Sequence, residues 1–146
     1  MAFRFSLAAV LKLRESVEQR EHFKLLKIQL EITELSAEIR RTEESQSAAE
    51  AGRKTELAQG MPAGHLRDSY ERARLCTQMR ETLKSRLKEA EIRQQQQLKS
   101  YRIARQGREV LEKLREQQFS EYVRIRDKRQ QALVDDLFLA HFKRDD

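Results

Sequence analysis

Six residues, Gln-Gly-Met-Pro-Ala-Gly at positions 59–64, constrain this chain more than any other stretch. They hold the single proline and two of the four glycines among 146 residues, with no comparable breaker on either side. Proline has no backbone N–H and its ring clashes with the preceding helical turn, while an interior glycine costs about 1 kcal/mol relative to alanine. One helix is expected to end here and another to begin. The reading is an all-α fold, a long two-stranded antiparallel coiled-coil hairpin forming one domain over residues 1–146, with a first helix near 6–58, a turn at 59–64 and a second helix near 65–142.

Composition agrees with a seam rather than a globule. Hydrophobic residues make up 38%, charged residues 37%, and tryptophan is absent. That balance cannot fill a thick core, but it can fill the interface between two helices. Disorder is the competing reading of so polar a chain; the scarcity of Gly and Pro and the spaced leucines and isoleucines argue against it. The formal charge of +6 points to an acidic partner. Residues 1–58 carry 10 basic and 10 acidic side chains, so the whole excess lies beyond them. Arg102, Arg105 and Arg108 recur at three-residue intervals, but Glu109, Glu112, Glu116 and Glu121 follow without an aromatic stacking platform. Nucleic acid is therefore not expected as a partner.

Catalytic, metal and cofactor signatures are missing. Cys76 stands alone, and His22, His65 and His141 are scattered without zinc spacing. No Gly-rich phosphate loop or nucleophile motif occurs. Acidic pairs such as Glu43/Glu44 and Asp135/Asp136 would need a concave pocket to become general acids, and a two-helix seam offers little of one. The expectation is a protein that is not an enzyme and uses no cofactor. Ala8–Leu13 is short and interrupted by Lys12, and no stretch approaches the ~20 apolar residues of a membrane span. A cytoplasmic protein is expected, reaching the membrane only through partners.

In the first arm, Phe3 and Phe5 precede Ser6, a candidate N-cap. Leu7, Val10, Leu11, Leu13 and Val17 then form a surface broader than one heptad seam, suited to either an internal or an intermolecular contact. Leu25, Ile28, Ile32, Leu35 and Ile39 keep the 3, 4, 3, 4 rhythm of a supercoiled stripe, which Leu26 and Leu30 are expected to widen. Beyond Ile39 the arm is thin and polar, weakened by Gly52. The second arm, at 1.5 Å per residue, would span roughly 110 Å against roughly 80 Å for the first, and so overhang it. Leu66, Tyr70, Ala73 and Thr77 begin a loose heptad trace. Cys76, Leu87 and Leu98 recur every eleven residues with Met79, Leu83 and Ala90 between them, a departure that locally unwinds a coiled coil. Residues 93–97 lack an apolar anchor, and Gly107 is either a bend or a tolerated interior glycine. Val110, Leu111 and Leu114 restore the stripe, extended by Phe119, Tyr122, Val123 and Ile125, which should return beside Leu7–Val17. The stretch 124–139 is a docking tip or a self-packed end.

The termini carry something more specific. The opening MAFRFSLAAVLKLRESVEQRE resembles the start of the FliJ family of the bacterial flagellar export apparatus, with Phe3, Phe5, Leu7, Val10, Leu11, Leu13, Arg14 and Glu18 on its F-x-F-x-L…VL-x-L-R-x…E pattern. The closing stretch 124–137 resembles the family's R-R-x-x-x-K/R-x-x-x-L-D-E-L ending through Arg129, Leu133, Asp135, Asp136 and Leu137. It departs in having Val134 before the acidic pair and Asp136 where glutamate is usual.

The resemblance implies a non-enzymatic stalk of flagellar protein export. In the family the paired termini enter the hexameric export ATPase, another surface meets the membrane export-gate protein, and export chaperones are escorted. Carried onto this chain, the ATPase contacts would be Leu7, Leu11, Arg14, Arg124, Arg126, Arg129, Asp135 and Asp136, and the gate contacts Tyr70, Ala73 and Thr77. A stalk of a virulence type III secretion system and a general coiled-coil scaffold are the alternatives.

Overall fold

The computed structural model describes residues 2–144. Among the described residues there are two helices, α1 (Ala8–Gln59) and α2 (Ala63–Arg144), and no strand. The fold is an all-α helical hairpin. Gly60 adopts φ +91°, the left-handed conformation that terminates helices without a Cβ penalty, and its N–H donates to the Leu57 carbonyl at 3.3 Å. Two residues later the Pro62 carbonyl accepts the first bond of α2, from Leu66 N–H at 3.1 Å. Proline therefore stands where its missing donor costs nothing. At the start of α1 the Leu11 N–H donates to the Leu7 carbonyl at 2.9 Å, which puts Leu7, rather than Ser6, at the N-cap position.

The chain divides into two compact units, Met1–Arg20 with Arg102–Asp146, and Glu21–Tyr101. In the Glu21–Tyr101 unit, Leu35, Ile39, Leu83 and Ala90 are buried together and Ile32 and Leu87 pack against them. Ala90 is completely covered, so a methyl group is all that the seam admits at that level. Antiparallel pairing is marked by polar contacts: Gln46 Nε2 donates to Thr77 Oγ1 at 3.0 Å, and Arg53 Nε donates to Ser69 Oγ at 3.1 Å. His22 and Tyr101 rings lie 5.6 Å apart. Each of these pairs is centred on residue 61 or its neighbour in the turn.

Two expectations change here. Leu26 and Leu30 do not widen the seam; they are 45% and 62% exposed. The 3.6-residue period carries them to the far side of α1 from Ile32 and Leu35. Met79 also leaves the internal trace and is 57% exposed. The stretch without apolar anchors at 93–97 is held by polar bonds instead. Arg93 forks onto the Glu31 carboxylate at 2.8 and 3.1 Å, and Gln97 Nε2 donates to the Glu21 backbone carbonyl at 3.0 Å and to its carboxylate.

In the other unit Phe5, Leu11 and Ala104 are buried. Phe3 meets Phe119 edge-on at 5.2 Å between ring centroids and Tyr122 at 5.6 Å. α2 continues as helix through Gly107, where the Arg14 side chain lies 3.6 Å from the position a Cβ would take. Arg108 is clamped between Glu18 of α1 and Glu112 of its own helix. Val110 does not join the seam; it is exposed, while Leu111 and Leu114 are half-buried.

The seam predicts sensitivity in both directions. Leu35→Ala leaves a void worth about 3 kcal/mol, and Ala90→Leu overpacks the narrowest layer at a cost of about 1–3 kcal/mol. Urea unfolding followed by circular dichroism should show both losses.

Candidate functional site

Residues expected at the ATPase end all lie in the unit that contains both termini. Their exposure differs sharply. Leu11 is 4% exposed and packed into the unit, Leu7 is half-buried, and the outer part of the Arg14 side chain, guanidinium included, lies across Gly107. On α2, Arg124 pairs with Glu121 at 3.6 Å, Arg126 with Asp127 at 3.3 Å, and Asp135 accepts from Gln131 Nε2 at 3.0 Å. Arg129 and Asp136 are exposed. Among the described residues no hydrogen bond or ion pair joins the α1 group to the α2 group.

A larger feature lies among these charges. Every described residue from 124 onward is exposed, including Leu133, Val134, Leu137, Phe138, Leu139 and Phe142, each at least 57% exposed. Phe138 and Phe142 stack on one another at 6.2 Å, one helical turn apart. Leu133, Val134, Leu137 and Phe138 follow the i, i+1, i+4, i+5 spacing of one helix face. Six large apolar side chains in ten residues of helix are left in water at a cost, which makes this helix end a candidate docking surface. The sequence signalled the apolar stretch but left its exposure undecided.

The three expected gate contacts lie in the Glu21–Tyr101 unit. They are partly engaged within the hairpin. The Arg53 guanidinium sits 4.5 Å from the centre of the Tyr70 ring, and Thr77 donates to the Ala73 carbonyl at 3.0 Å while accepting from Gln46. Ala73 is half-buried. Leu75 and Met79, one helical turn apart in the same part of α2, are 54% and 57% exposed. Residue spacing alone passed over Leu75 because no heptad position required it.

Electrostatics in both units is dominated by carboxylate–guanidinium pairs between or along the helices. The Glu31 carboxyl is held below the usual carboxylate range, first by its hydrogen bonds from Arg93, and Arg108 is held above the ordinary guanidinium range by Glu18 and then Glu112. Among the described residues no cluster of three or more His, Cys, Asp or Glu is placed to hold a metal ion, and Cys76 is a half-buried free thiol. No described helix is long and apolar enough to cross a membrane.

Two long helices packed along an ion-paired seam, with one densely apolar exposed helix end, define an all-α helical-hairpin protein. Comparison with families places it further: the family described as Flagellar FliJ protein matches residues 3–145, and the chain belongs to the FliJ family. It is a component of the flagellar protein-export apparatus. Neither curated proteins nor solved structures give a match.

The Glu31–Arg93 fork carries a pH signature. A depressed folded-state value means that its contribution is present above the unfolded carboxylate range and is lost as pH falls through the folded value. The difference in melting temperature between the parent and Glu31→Gln should be greatest near neutral pH and close below about pH 4. Because both side chains are partly exposed, the difference is small and shrinks with added salt.

Proposed function

We propose that this chain is a non-enzymatic stalk of flagellar export, coupling the hexameric export ATPase to the membrane export gate. The observation that carries the reading is the exposed apolar end of α2, Leu133 to Phe142. Leu133, Val134, Leu137 and Phe138 supply the contact area with the ATPase ring. Arg124, Arg126, Arg129, Asp135 and Asp136 form a polar rim of both signs, which sets orientation and keeps the contact reversible. Leu7 and Arg14 belong to the same docking end, and Leu11 supports it from within the packed unit.

Tyr70, Ala73 and Thr77, together with Leu75 and Met79, form the surface offered to the gate. Escort of export chaperones is a further role of the same protein. The chain stays peripheral to the inner membrane, attached through these partners. It hydrolyses nothing itself; its action is to favour ring assembly or to link ATP turnover to gate opening.

Adding the chain at stoichiometric amounts to the export ATPase should increase hexamer formation by light scattering and raise hydrolysis. Leu137→Asp/Phe138→Asp, changed at exposed positions, should lose both effects while keeping the parent's helicity. Leu11→Asp would be uninformative, because it would disrupt packing. A parent that alters neither assembly nor turnover, or a double variant as active as the parent, would overturn the stalk reading.

A further inference from the structure

The end of α2 is helix without a tertiary partner. The last residues that its own unit partly covers are Tyr122, whose ring lies 5.6 Å from that of Phe3, and Val123. From Arg124 to Arg144 every residue is exposed. Among the described residues the contacts of this stretch are local: Arg124 with Glu121, Arg126 with Asp127, Gln131 with Asp135, and Phe138 with Phe142, none of which reaches α1.

Local terms must therefore hold about six turns of helix. Growth from the packed part of α2 needs no new nucleus, so propagation decides the outcome, and its constant is only about 1–1.6 per residue for good helix formers near 0 °C and lower in warm solution. Val134, Asp135, Asp136, Phe138, His141 and Phe142 are not good formers, being β-branched, aromatic or able to compete for the backbone. The i, i+4 pairs offset a small part of this, and His141, Lys143 and Arg144 complement the helix dipole in the last turn alone. Leu133, Val134, Leu137 and Phe138 share a face only while the segment is helical, so the docking surface exists only in that state.

We propose that residues 124–144 exchange between helix and coil in the free chain, and that docking on the export ATPase fixes them as helix, so that binding and the folding of this tail are one event. The partner is taken from the stalk reading; the exchange between helix and coil rests on burial and helix propensity. Ordering the tail subtracts from the affinity of the contact, which keeps it reversible despite the apolar area it buries.

Hydrogen exchange on the full chain, read by mass spectrometry, tests the free state. Amides from Arg126 to Phe142 should exchange within about tenfold of unstructured rates, and those from Leu83 to Ala90 at least about a hundredfold more slowly. Adding the export ATPase should slow the tail amides. Ala132→Gly, on the opposite side of the helix from the apolar face, should weaken ATPase binding by about fivefold, the ordering cost of one interior glycine, while Ala132→Gln should bind within about twofold of the parent. Tail amides protected like the seam in the free chain overturn the proposal, as does ATPase binding indifferent to Ala132→Gly. Equal losses in Ala132→Gly and Ala132→Gln also overturn it, because Ala132 would then be a contact. A parent that does not bind the ATPase overturns the stalk reading and the coupling together, whereas a parent that binds through a tail already protected overturns this proposal alone.

Discussion

The structure depends on a seam too narrow to tolerate misalignment. Ala90 is fully covered beside Leu35, Ile39 and Leu83, and a two-stranded interface has no second layer into which a displaced side chain could move. Register must therefore be set elsewhere and set firmly. The turn does this: Gly60 in the left-handed conformation ends α1, Pro62 opens α2, and the Gln46–Thr77 and Arg53–Ser69 pairs are centred within that turn, at or next to Met61.

Polar side chains take over where apolar ones run out. Between Arg93 and Gln97 the seam has no large hydrophobic anchor, and its place is taken by a bidentate guanidinium–carboxylate fork and by an amide donating to a backbone carbonyl. Such contacts add little net stability, since the groups would be solvated in the unfolded chain. Their directional geometry penalises a shifted pairing, much as a single polar layer specifies alignment in a coiled coil. Arg108 between Glu18 and Glu112 has the same character within the other unit. The hairpin thus gains alignment from groups that contribute little to its melting temperature.

What remains outside the seam is apolar surface that the hairpin itself does not cover. A helix in a two-stranded coil needs only one apolar stripe, so Leu133 to Phe142 on α2 and Phe23, Leu26 and Leu30 on α1 exceed what folding requires. Membership of the FliJ family gives that excess a setting in flagellar export. The proposed stalk role calls for exposed apolar surface more than for a pocket, and the end of α2 supplies it among charged residues of both signs.

The all-α hairpin was legible from the sequence because a single proline–glycine cluster divides two breaker-poor runs, and the 3, 4, 3, 4 spacing from Leu25 to Ile39 names a seam. The terminal motifs pointed to the family for the same reason that short, residue-specific patterns outlast the ambiguity of long charged helices. Leu26, Leu30, Met79 and Val110 are where spacing failed. In a polar chain every leucine near a stripe looks like part of it, and only the mutual rotation of two packed helices decides which side chains face inward. The candidate docking end shows the same division: Leu11 and Leu137 are alike as sequence, yet one is buried by its unit and the other is left in water. Sequence determined how many helices there are and where they turn, because those depend on local backbone chemistry. Tertiary structure decided which apolar residues were left free to bind, because burial depends on what lies across the seam.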